Sequence, residues 1–252
     1  MAKVLMLLPA KDYDPTEAAV PWAALQAAGH DVLFATPDGN AAYADERLVT
    51  TGFGLLNPFL MTRKEDLATY LRMTAEPAFH QPLAYSALAG IPFDALLIPG
   101  GHHQGVKTLL ESPLAQAAVV AAFKQHKPVA AVCHGVLLLA RSVDPETGKS
   151  VLYGRKTTAL TKTLELAGWN MTRLWLGDYY RTYPVTVEDE VKASLVAPDD
   201  FKSGGPLPIR DRKNLRQLGF VVRDRNYLSA RWPGDCHRFS QELLQMLACG
   251  HS

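Results

Sequence analysis

The sequence has few cysteines and no long apolar run. Only three cysteines, Cys133, Cys236 and Cys249, occur among 252 residues, and none of them forms a C-x-x-C pair. This excludes a disulfide framework and a structural zinc knuckle, and it favours a reducing, cytoplasmic location. No apolar run approaches the roughly 18 residues that are needed to span a bilayer. The stretch Val4–Leu8 is also too short for the apolar part of a secretory signal peptide, so we expect a cytoplasmic protein with no membrane partner.

The chain also lacks an excess of charge of either sign. Lysine and arginine total 26 and aspartate and glutamate total 25, which gives a net charge of +1. A nearly neutral chain has no electrostatic basis for binding nucleic acid or an anionic membrane surface, so neither is expected as a partner. Apolar residues make up 48% of the chain, which is enough for a sizeable core. We expect a single domain over residues 1–252.

Short apolar runs alternate along the chain with segments of helical pattern. The runs are apolar throughout instead of alternating with polar residues, which indicates strands buried on both faces of a parallel sheet. The sequence therefore predicts an α/β fold, a doubly wound and mostly parallel sheet with helices on both faces. The predicted strands are Lys3–Pro9, Asp31–Pro37, Pro92–Gly100, Pro128–Cys133, Thr157–Leu160 and a late pair, Phe220–Asp224 and Asn226–Ala230. The predicted helices are Thr16–Gly29, Ser112–His126, Val136–Ser142, Lys162–Gly168 and His237–Ala248.

Two stretches of the chain do not fit this repeat. Residues 38–89 contain several glycines and prolines and one helix-like segment, Lys64–Met73. Residues 178–216 are rich in proline and glycine. Neither stretch has enough apolar residues for a core of its own, so both are expected to be insertions that decorate the sheet.

Cys133 stands at the junction of a predicted buried strand and a predicted helix. The segment Lys127–Ala140 reads KPVAAVCHGVLLLA, so the helix begins within two residues of the cysteine. That junction requires a sharp turn, which projects the side chain from the carboxyl edge of the sheet as in a nucleophile elbow. Unpaired amides and the helix dipole at such a turn favour a thiolate. The alternative is that Cys133 is a small apolar residue that completes a buried strand.

A second motif, IPGGHHQG at Ile98–Gly105, ends the strand that we expect beside the Cys133 strand. In open α/β sheets this carboxyl edge binds ligands. Gly100 and Gly101 let the backbone approach a reacting atom, and the amides of Gly101 and His134 could form an oxyanion hole beside the sulfur. The alternative is a glycine turn that serves packing alone. A phosphate-binding loop is disfavoured because the motif has neither the spacing nor the lysine-serine ending of such loops.

Glu17, in the segment DPTEAAVPW, follows the loop after the first strand and so points to the same edge. A carboxylate close to a thiol is partly protonated and can donate a hydrogen bond or move a proton. An acid in a first helical turn also serves simply as a partner of the helix dipole. His134 follows Cys133 directly and is a candidate base. The other histidines of interest have no metal-binding spacing, so no metal site is expected; they are His80, His102, His103 and His126.

Four segments together resemble one protein family: DPTEAAVPW, IPGGHHQG, AAVCHGVLLLA and the C-terminal DRNYLSARWPGD. They resemble the DJ-1/PfpI (ThiJ) superfamily, and in particular its larger Hsp31-like, glyoxalase III-like members with a flavodoxin-like, class I glutamine amidotransferase-like fold. By this resemblance Cys133 is the elbow nucleophile, Glu17 the acid that contacts it and His134 the adjacent histidine. The resemblance also makes Gly101 and His134 the oxyanion donors.

The resemblance implies an enzyme that needs no cofactor and no metal, and that forms a homodimer. Members of the family include glyoxalases that convert methylglyoxal to lactate, and amidases or peptidases that would use the same thiolate, so the expected partner is a small carbonyl or amide compound. Holding chaperones and cysteine redox sensors are the non-enzymatic alternatives. No H-x-E pair follows the predicted nucleophile, which disfavours glutamine hydrolysis of the amidotransferase kind. The acid that orients His134 stays open between Asp178 and Asp235, and Gly100 and His102 are further supporting residues.

Overall fold

Strands and helices alternate along the chain, as the apolar pattern predicts. The computed structural model describes residues 1–205 and 209–249. Within them the strands are β1 (Lys3–Leu7), β2 (Lys11–Tyr13), β3 (Asp31–Thr36), β4 (Tyr43–Ala44), β5 (Leu83–Ala84), β6 (Ala95–Ile98), β7 (Val129–Val132), β8 (Val143–Asp144), β9 (Lys149–Ser150), β10 (Val221–Asp224) and β11 (Tyr227–Ala230). The α-helices are α1 (Pro15–Ala27), α2 (Asn57–Leu60), α3 (Lys64–Thr74), α4 (Pro77–His80), α5 (Lys107–Leu110), α6 (Pro113–Lys124), α7 (Gly135–Arg141), α8 (Lys162–Leu176), α9 (Val187–Ala193) and α10 (Cys236–Cys249).

Seven of the strands in the described ranges form one sheet, in the order β10-β11-β7-β6-β1-β3-β5. Neighbouring strands are parallel except in the hairpin of β10 and β11. This confirms the doubly wound, mostly parallel sheet and the late strand pair. The strand order reverses at β1, which pairs with β3 on one side and with β6 on the other. Open sheets of this kind bind ligands at such a reversal, outside the carboxyl ends of the strands.

The central strands are buried along their whole length because helices cover both faces of the sheet. The strands β6 (ALLI) and β7 (VAAV) have no exposed side chain, and α6 packs against both of them. On the other face, α1 packs against α3 and α10. A fully buried leucine, isoleucine or valine side chain contributes about 1.5–3 kcal/mol to stability, which explains why these runs carry no polar residue.

Helix α1 begins with a side-chain cap and contains a proline about two turns later. Asp14 accepts hydrogen bonds from the amides of Thr16 (2.8 Å) and Glu17 (3.2 Å), which fixes the start of the helix beside the sheet edge. Pro21 lies inside the helix and has no N–H, so the carbonyl of Glu17 receives no helical hydrogen bond from it. Gly29, with a φ of 76°, follows the end of the helix as predicted.

The two predicted insertions differ in their relation to the sheet. The first, residues 38–89, supplies the edge strand β5, which pairs in parallel with β3, and its predicted helix is α3. The second, residues 178–216, contains α9, and its described part adds no strand to the sheet; residues 206–208 lie outside the described residues. The first insertion is therefore a part of the sheet and not only a decoration of it.

The predicted strand Thr157–Leu160 is wrong. Only its first residue makes a β-bridge, and side chains hold the rest of the segment. The Thr157 hydroxyl hydrogen-bonds to the Tyr227 hydroxyl at 2.8 Å, and the Thr158 amide donates to Ser229 Oγ at 3.0 Å. The neighbouring position on this side of β7 is occupied by β11, so the segment crosses over the sheet instead of joining it.

No single helix within residues 1–205 and 209–249 is long and apolar enough to cross a bilayer. The segments Gln104–Leu110 and Pro113–Lys124 satisfy the same criteria of length and composition only when they are taken together. The axes of these two segments differ by 52°.

Candidate active site

Cys133 occupies the tight turn between β7 and α7. Its φ of 58° lies in the left-handed region, which costs a residue with a Cβ atom on the order of 1–3 kcal/mol. The Cys133 amide donates to the Ala230 carbonyl at 3.1 Å, so the pairing with β11 continues into the turn. Helix α7 begins two residues later, at Gly135. The sharp turn that the sequence predicts is present, and the surrounding sheet holds its strained residue in place.

The turn packs backbone against backbone on the loop that follows β6. A Cβ atom on Gly135 would lie 2.5 Å from the Ile98 carbonyl oxygen, and one on Gly100 would lie 2.7 Å from the His134 amide nitrogen. Neither approach leaves room for a side chain, so packing alone requires both glycines. Gly101 follows with a φ of 147°, and its amide has no hydrogen-bond acceptor within the described residues. An oxyanion donor needs such an amide, and this role of Gly101 stays a prediction.

Glu17 is fully buried and lies beside Cys133. Its Oε2 atom accepts a hydrogen bond of 2.7 Å from the Gly100 amide. Its Oε1 atom makes no hydrogen bond of ordinary geometry, and the carboxyl group interacts with the Cys133 thiol. Burial, followed by the charge of Asp14, raises the pKa of Glu17 well above its ordinary value. Burial therefore favours the protonated, neutral form of Glu17, which has a proton to donate.

The thiol of Cys133 does not have the low pKa that a turn of this kind predicts. Burial raises its pKa well above the ordinary value, and the carboxyl groups of Glu17 and Asp14 add to this effect. The His134 amide hydrogen-bonds to the sulfur and lowers the pKa, but burial outweighs that contribution. When Glu17 is protonated it carries no charge and no longer opposes the thiolate. The charge state of Glu17 therefore affects the pKa of the thiol.

The ring of His134 is held in one tautomer by its hydrogen bonds. The hydroxyl of Thr182 donates its single proton to the His102 carbonyl oxygen, so toward Nε2 of His134, 3.1 Å away, it can only accept. Nε2 therefore carries the ring proton, and Nδ1 presents a lone pair to the Cys133 sulfur at 3.5 Å. Burial lowers the pKa of His134 to about 3, which keeps the ring neutral. The arrangement makes Nδ1 an acceptor for the thiol proton.

Neither acid that the sequence offered for His134 hydrogen-bonds to it. Asp178 is exposed and accepts a hydrogen bond of 3.1 Å from a tryptophan indole. Asp235 is buried in a bidentate ion pair with Arg231, with two N–O distances of 2.9 Å. Thr182 orients the imidazole instead. Sequence reasoning missed Thr182 because it lies in the second insertion, far along the chain from the motifs.

Replacing Thr182 by valine removes the acceptor of His134 Nε2 and keeps the shape of the side chain. We expect the free energy of unfolding to fall by about 1–3 kcal/mol, because a buried N–H and a buried carbonyl lose their partner. We also expect the imidazole nitrogen NMR shifts to report a mixture of tautomers. The matched control is Thr158→Val, because the Thr158 hydroxyl is buried and has no hydrogen-bond partner. An equal loss of stability in both variants would contradict the role of Thr182.

A cavity of about 530 Å³ opens above the Cys133 sulfur. It brings together three of the predicted site residues, Cys133, Glu17 and Gly101, and it also contacts His102. The His102 ring stacks on Tyr180 with 4.1 Å between ring centroids, and burial lowers the pKa of His102 to about 3. His102 therefore contributes a neutral aromatic surface to the cavity wall, and its backbone carbonyl anchors the hydroxyl that orients the neighbouring imidazole.

Glu165 is a cavity residue that the motifs did not indicate. It lies in the first turn of α8 and is buried. Its Oε2 atom accepts a hydrogen bond of 2.9 Å from the Val187 amide, and its Oε1 atom is 3.9 Å from Arg181 Nε. Burial raises the pKa of Glu165 to about 7. A carboxyl that titrates near neutral pH inside a cavity is typical of a functional site, but in the sequence it looks like any acid at a helix start.

The remaining histidines form no metal site in the part of the chain that the structure describes. His103 pairs with Asp12 at 2.7 Å, and this hydrogen bond raises the pKa of His103. No group of three or more His, Cys, Asp or Glu side chains within residues 1–205 and 209–249 is placed to hold an ion.

Comparison with known proteins decides the family of the chain. A family model described as ThiJ/PfpI family-like matches residues 8–204, which contain Glu17, Gly101 and Cys133. The chain belongs to the ThiJ/PfpI family. Together with the relatives described next, this match confirms the DJ-1/PfpI superfamily and its Hsp31-like branch, which the motifs indicated.

Relatives of this ThiJ/PfpI protein match over part of their length. Deglycase TK1284 of Thermococcus kodakarensis is 27% identical over 165 residues, which cover 66% of this chain and 69% of that protein. Glutathione-independent glyoxalase hsp3101 of Schizosaccharomyces pombe is 26% identical over 152 residues, which cover 60% of this chain and 59% of that protein. An uncharacterized protein of Schizosaccharomyces pombe is 33% identical over 113 residues, which cover 44% of this chain and 41% of that protein. The chain thus spans less than two thirds of two of these three relatives.

Solved structures of the same fold cover nearly the whole chain. Glyoxalase III from Candida albicans superposes with a TM-score of 0.68 at 18% identity, over 97% of each chain. DJ-1beta of Drosophila melanogaster superposes with a TM-score of 0.55 at 15% identity, over 99% of this chain and 96% of that chain. At these identities the likeness shows the fold alone, which is the doubly wound sheet of the ThiJ/PfpI proteins.

Proposed function

We propose that this ThiJ/PfpI protein converts 2-oxoaldehydes to 2-hydroxy acids, as in methylglyoxal to lactate, without a cofactor. One observation carries the proposal: the Cys133 sulfur adjoins a cavity and lies beside a neutral acid, Glu17, and the unprotonated Nδ1 of His134. The reaction moves hydrogen between two neighbouring carbons, so it needs a nucleophile and two proton carriers and no external oxidant. The names of two relatives, a glyoxalase and a deglycase, support an enzyme of this kind.

The first step is addition of the Cys133 sulfur to the aldehyde carbon, C1. The thiol proton passes to Nδ1 of His134, and Glu17 gives its proton to the aldehyde oxygen, so that a neutral hemithioacetal forms. The amide of Gly101 stabilises the oxygen while negative charge develops on it. Glu17 is then a carboxylate and His134 an imidazolium, which equips the site to take a proton from carbon.

Proton transfer from C1 to C2 completes the isomerisation. Glu17 removes the proton from C1, the electron pair forms a C1–C2 double bond, and His134 protonates the former ketone oxygen to give an enediol bound through sulfur. Glu17 then returns its proton to C2, and the C1 hydroxyl proton moves to His134. The product of these transfers is a thioester of the 2-hydroxy acid on Cys133.

Hydrolysis of the thioester releases the product and restores the residues. The hydroxyl of a water molecule bonds to C1 and its proton goes to Glu17, while the C1–sulfur bond breaks. The departing Cys133 thiolate takes its proton back from His134. One carbon has been oxidised and its neighbour reduced, so no electron leaves the substrate.

The test of this proposal is lactate formation by the purified protein from methylglyoxal, followed alongside a panel of esters and amides. Lactate formed at a rate proportional to enzyme concentration supports the proposal. Cleavage of esters or amides without lactate would replace it by a hydrolase that uses the same thiol. No turnover of any substrate, together with suppressed aggregation of a client protein, would indicate a holding chaperone.

Replacing Glu17 by glutamine separates its two effects on Cys133. We expect kcat for methylglyoxal to fall about 10²-fold, because a carboxamide cannot accept and return the C1 proton. We expect the pH midpoint of Cys133 alkylation to fall as well, because Glu17 raises the thiol pKa when it is ionised and a carboxamide carries no charge at any pH. Glu65→Gln, on the exposed side of α3, is the control. A variant with unchanged kcat would show that Glu17 only supports the fold.

A further inference from the structure

The cavity above Cys133 is much larger than methylglyoxal, the substrate of the proposed reaction. Pockets of roughly 300–1,000 Å³ are the size that encloses drug-sized ligands, and this one measures about 530 Å³. Methylglyoxal has a single methyl group beyond its two carbonyls. A molecule of that size would contact Cys133 and leave most of the cavity unfilled.

The wall of the cavity is mostly apolar, although Arg63, Glu165 and Arg210 also line it. Its wall includes Phe59 and Leu60 of α2, Leu164 and Met171 of α8, and Trp232. Phe59 is 68% exposed and Met171 is 46% exposed, so both side chains present apolar surface to water. Covering such side chains with an apolar ligand removes their surface from water, which favours binding.

Two arginines from the two insertions hold this apolar wall in position. Arg63, in the first insertion, donates through Nη1 to the Asp211 carbonyl of the second at 2.7 Å. Arg210, in the second insertion, donates in return to the carbonyls of Met61 (3.2 Å) and Phe59 (3.0 Å) at the end of α2. Since each arginine bonds to the backbone of the other insertion, the α2 wall has a fixed place opposite α8.

We infer that the site takes 2-oxoaldehydes whose ketone carbon carries an extended apolar chain, and that methylglyoxal is a poor substrate by comparison. The reactive end of the molecule lies at Cys133, and the chain lies between α2 and α8 against Phe59 and Met171. The inference rests on the proposed function for the chemistry at C1, but the apolar wall selects the chain independently of that chemistry.

The experiment measures affinity as a function of chain length in the Cys133→Ser variant, which cannot carry out the thiol chemistry. Lactate, 2-hydroxybutanoate, 2-hydroxyhexanoate and 2-hydroxyoctanoate are titrated by calorimetry, and because all four carry the same carboxylate the comparison isolates the chain. We expect the affinity to rise up to about fourfold for each methylene, in line with the burial of a CH₂ group. In the wild type, kcat/KM is expected to rise from methylglyoxal to 2-oxooctanal by a similar factor for each additional methylene.

Wall variants locate the chain. Met171→Ser and Phe59→Ser are expected to flatten the dependence on chain length, because both side chains line the cavity. Leu114→Ser is the matched control, since Leu114 is an apolar residue of α6 whose exposure, 51%, lies between those of Met171 and Phe59. An affinity independent of chain length overturns the inference even when methylglyoxal is converted. A chain-length dependence without turnover of any 2-oxoaldehyde supports the apolar selection and overturns the proposed function instead.

Discussion

Replacing Cys133 by serine is expected to lower kcat/KM for methylglyoxal about 10³-fold or more. A serine hydroxyl is a much weaker acid than a thiol, so it gives up its proton to Nδ1 of His134 far less readily than Cys133 does. Losses of this size are typical when a nucleophile is removed from a set of catalytic residues that work together. The measurement is initial-rate lactate formation, with near-identical circular dichroism spectra to show that the fold is retained.

The other cysteines provide the controls for this experiment. Cys249 is exposed at the end of α10, and Cys249→Ser is expected to leave the rate unchanged. Cys236 is buried at the start of α10, where burial and nearby carboxyls, Glu17 first, raise the pKa of its thiol. Lactate formation that survives in Cys133→Ser would contradict the hemithioacetal. If wild type and Cys133→Ser suppress the aggregation of a client protein equally, this activity belongs to the protein surface and not to the Cys133 thiol.

The parts of the site that could be predicted from the sequence are those fixed by a few consecutive residues. The elbow at Cys133 follows from a buried strand that meets a helix within two residues, and the glycines around it follow from the close approach of two backbones. Glu17 lies at the sheet edge, as predicted, because it follows the strand β1 and its loop. The topology of a parallel sheet brings such loops together.

The parts that could not be predicted are those set by contacts between distant segments. Thr182 reaches His134 from the second insertion, and nothing in its own neighbours distinguishes it from a surface threonine. Glu165 acquires a pKa of about 7 only through burial beneath the second insertion. The predicted strand Thr157–Leu160 failed for a related reason: local apolar content does not show that β11 already occupies the place beside β7.

The same distinction explains why Asp235 is a misleading candidate for the acid partner of His134. It is the last residue of a short motif, P-G-D, near the sheet edge, which is where an acid of a triad is sought. The structure instead pairs it with Arg231, and it also accepts a hydrogen bond of 2.8 Å from the Phe220 amide. Both oxygens are thereby used to hold the segment that leads from β11 into α10 and carries Trp232 to the cavity.

Replacing Arg231 by methionine is expected to lower the free energy of unfolding by about 3–5 kcal/mol at neutral pH, because it leaves the buried Asp235 without its partner. Burial already raises the pKa of Asp235 against the opposing effect of Arg231, and loss of the arginine raises it further. When the pKa of a carboxyl group is higher in the folded than in the unfolded state, the free energy of unfolding falls as the pH rises from the unfolded-state pKa toward the folded-state pKa. The destabilisation measured by urea unfolding should therefore be larger at pH 8 than at pH 5.

The double variant Arg231→Met with Asp235→Leu distinguishes this ion pair from a general effect of packing. With no buried charge left, it is expected to recover most of the stability and to lose the pH dependence, since matched apolar replacements of a buried pair are often neutral. Its kcat for methylglyoxal should stay close to that of the wild type, because His134 depends on Thr182 and not on Asp235. A double variant that is stable yet inactive would show that Asp235 takes part in catalysis, through a contact that forms only when substrate is bound.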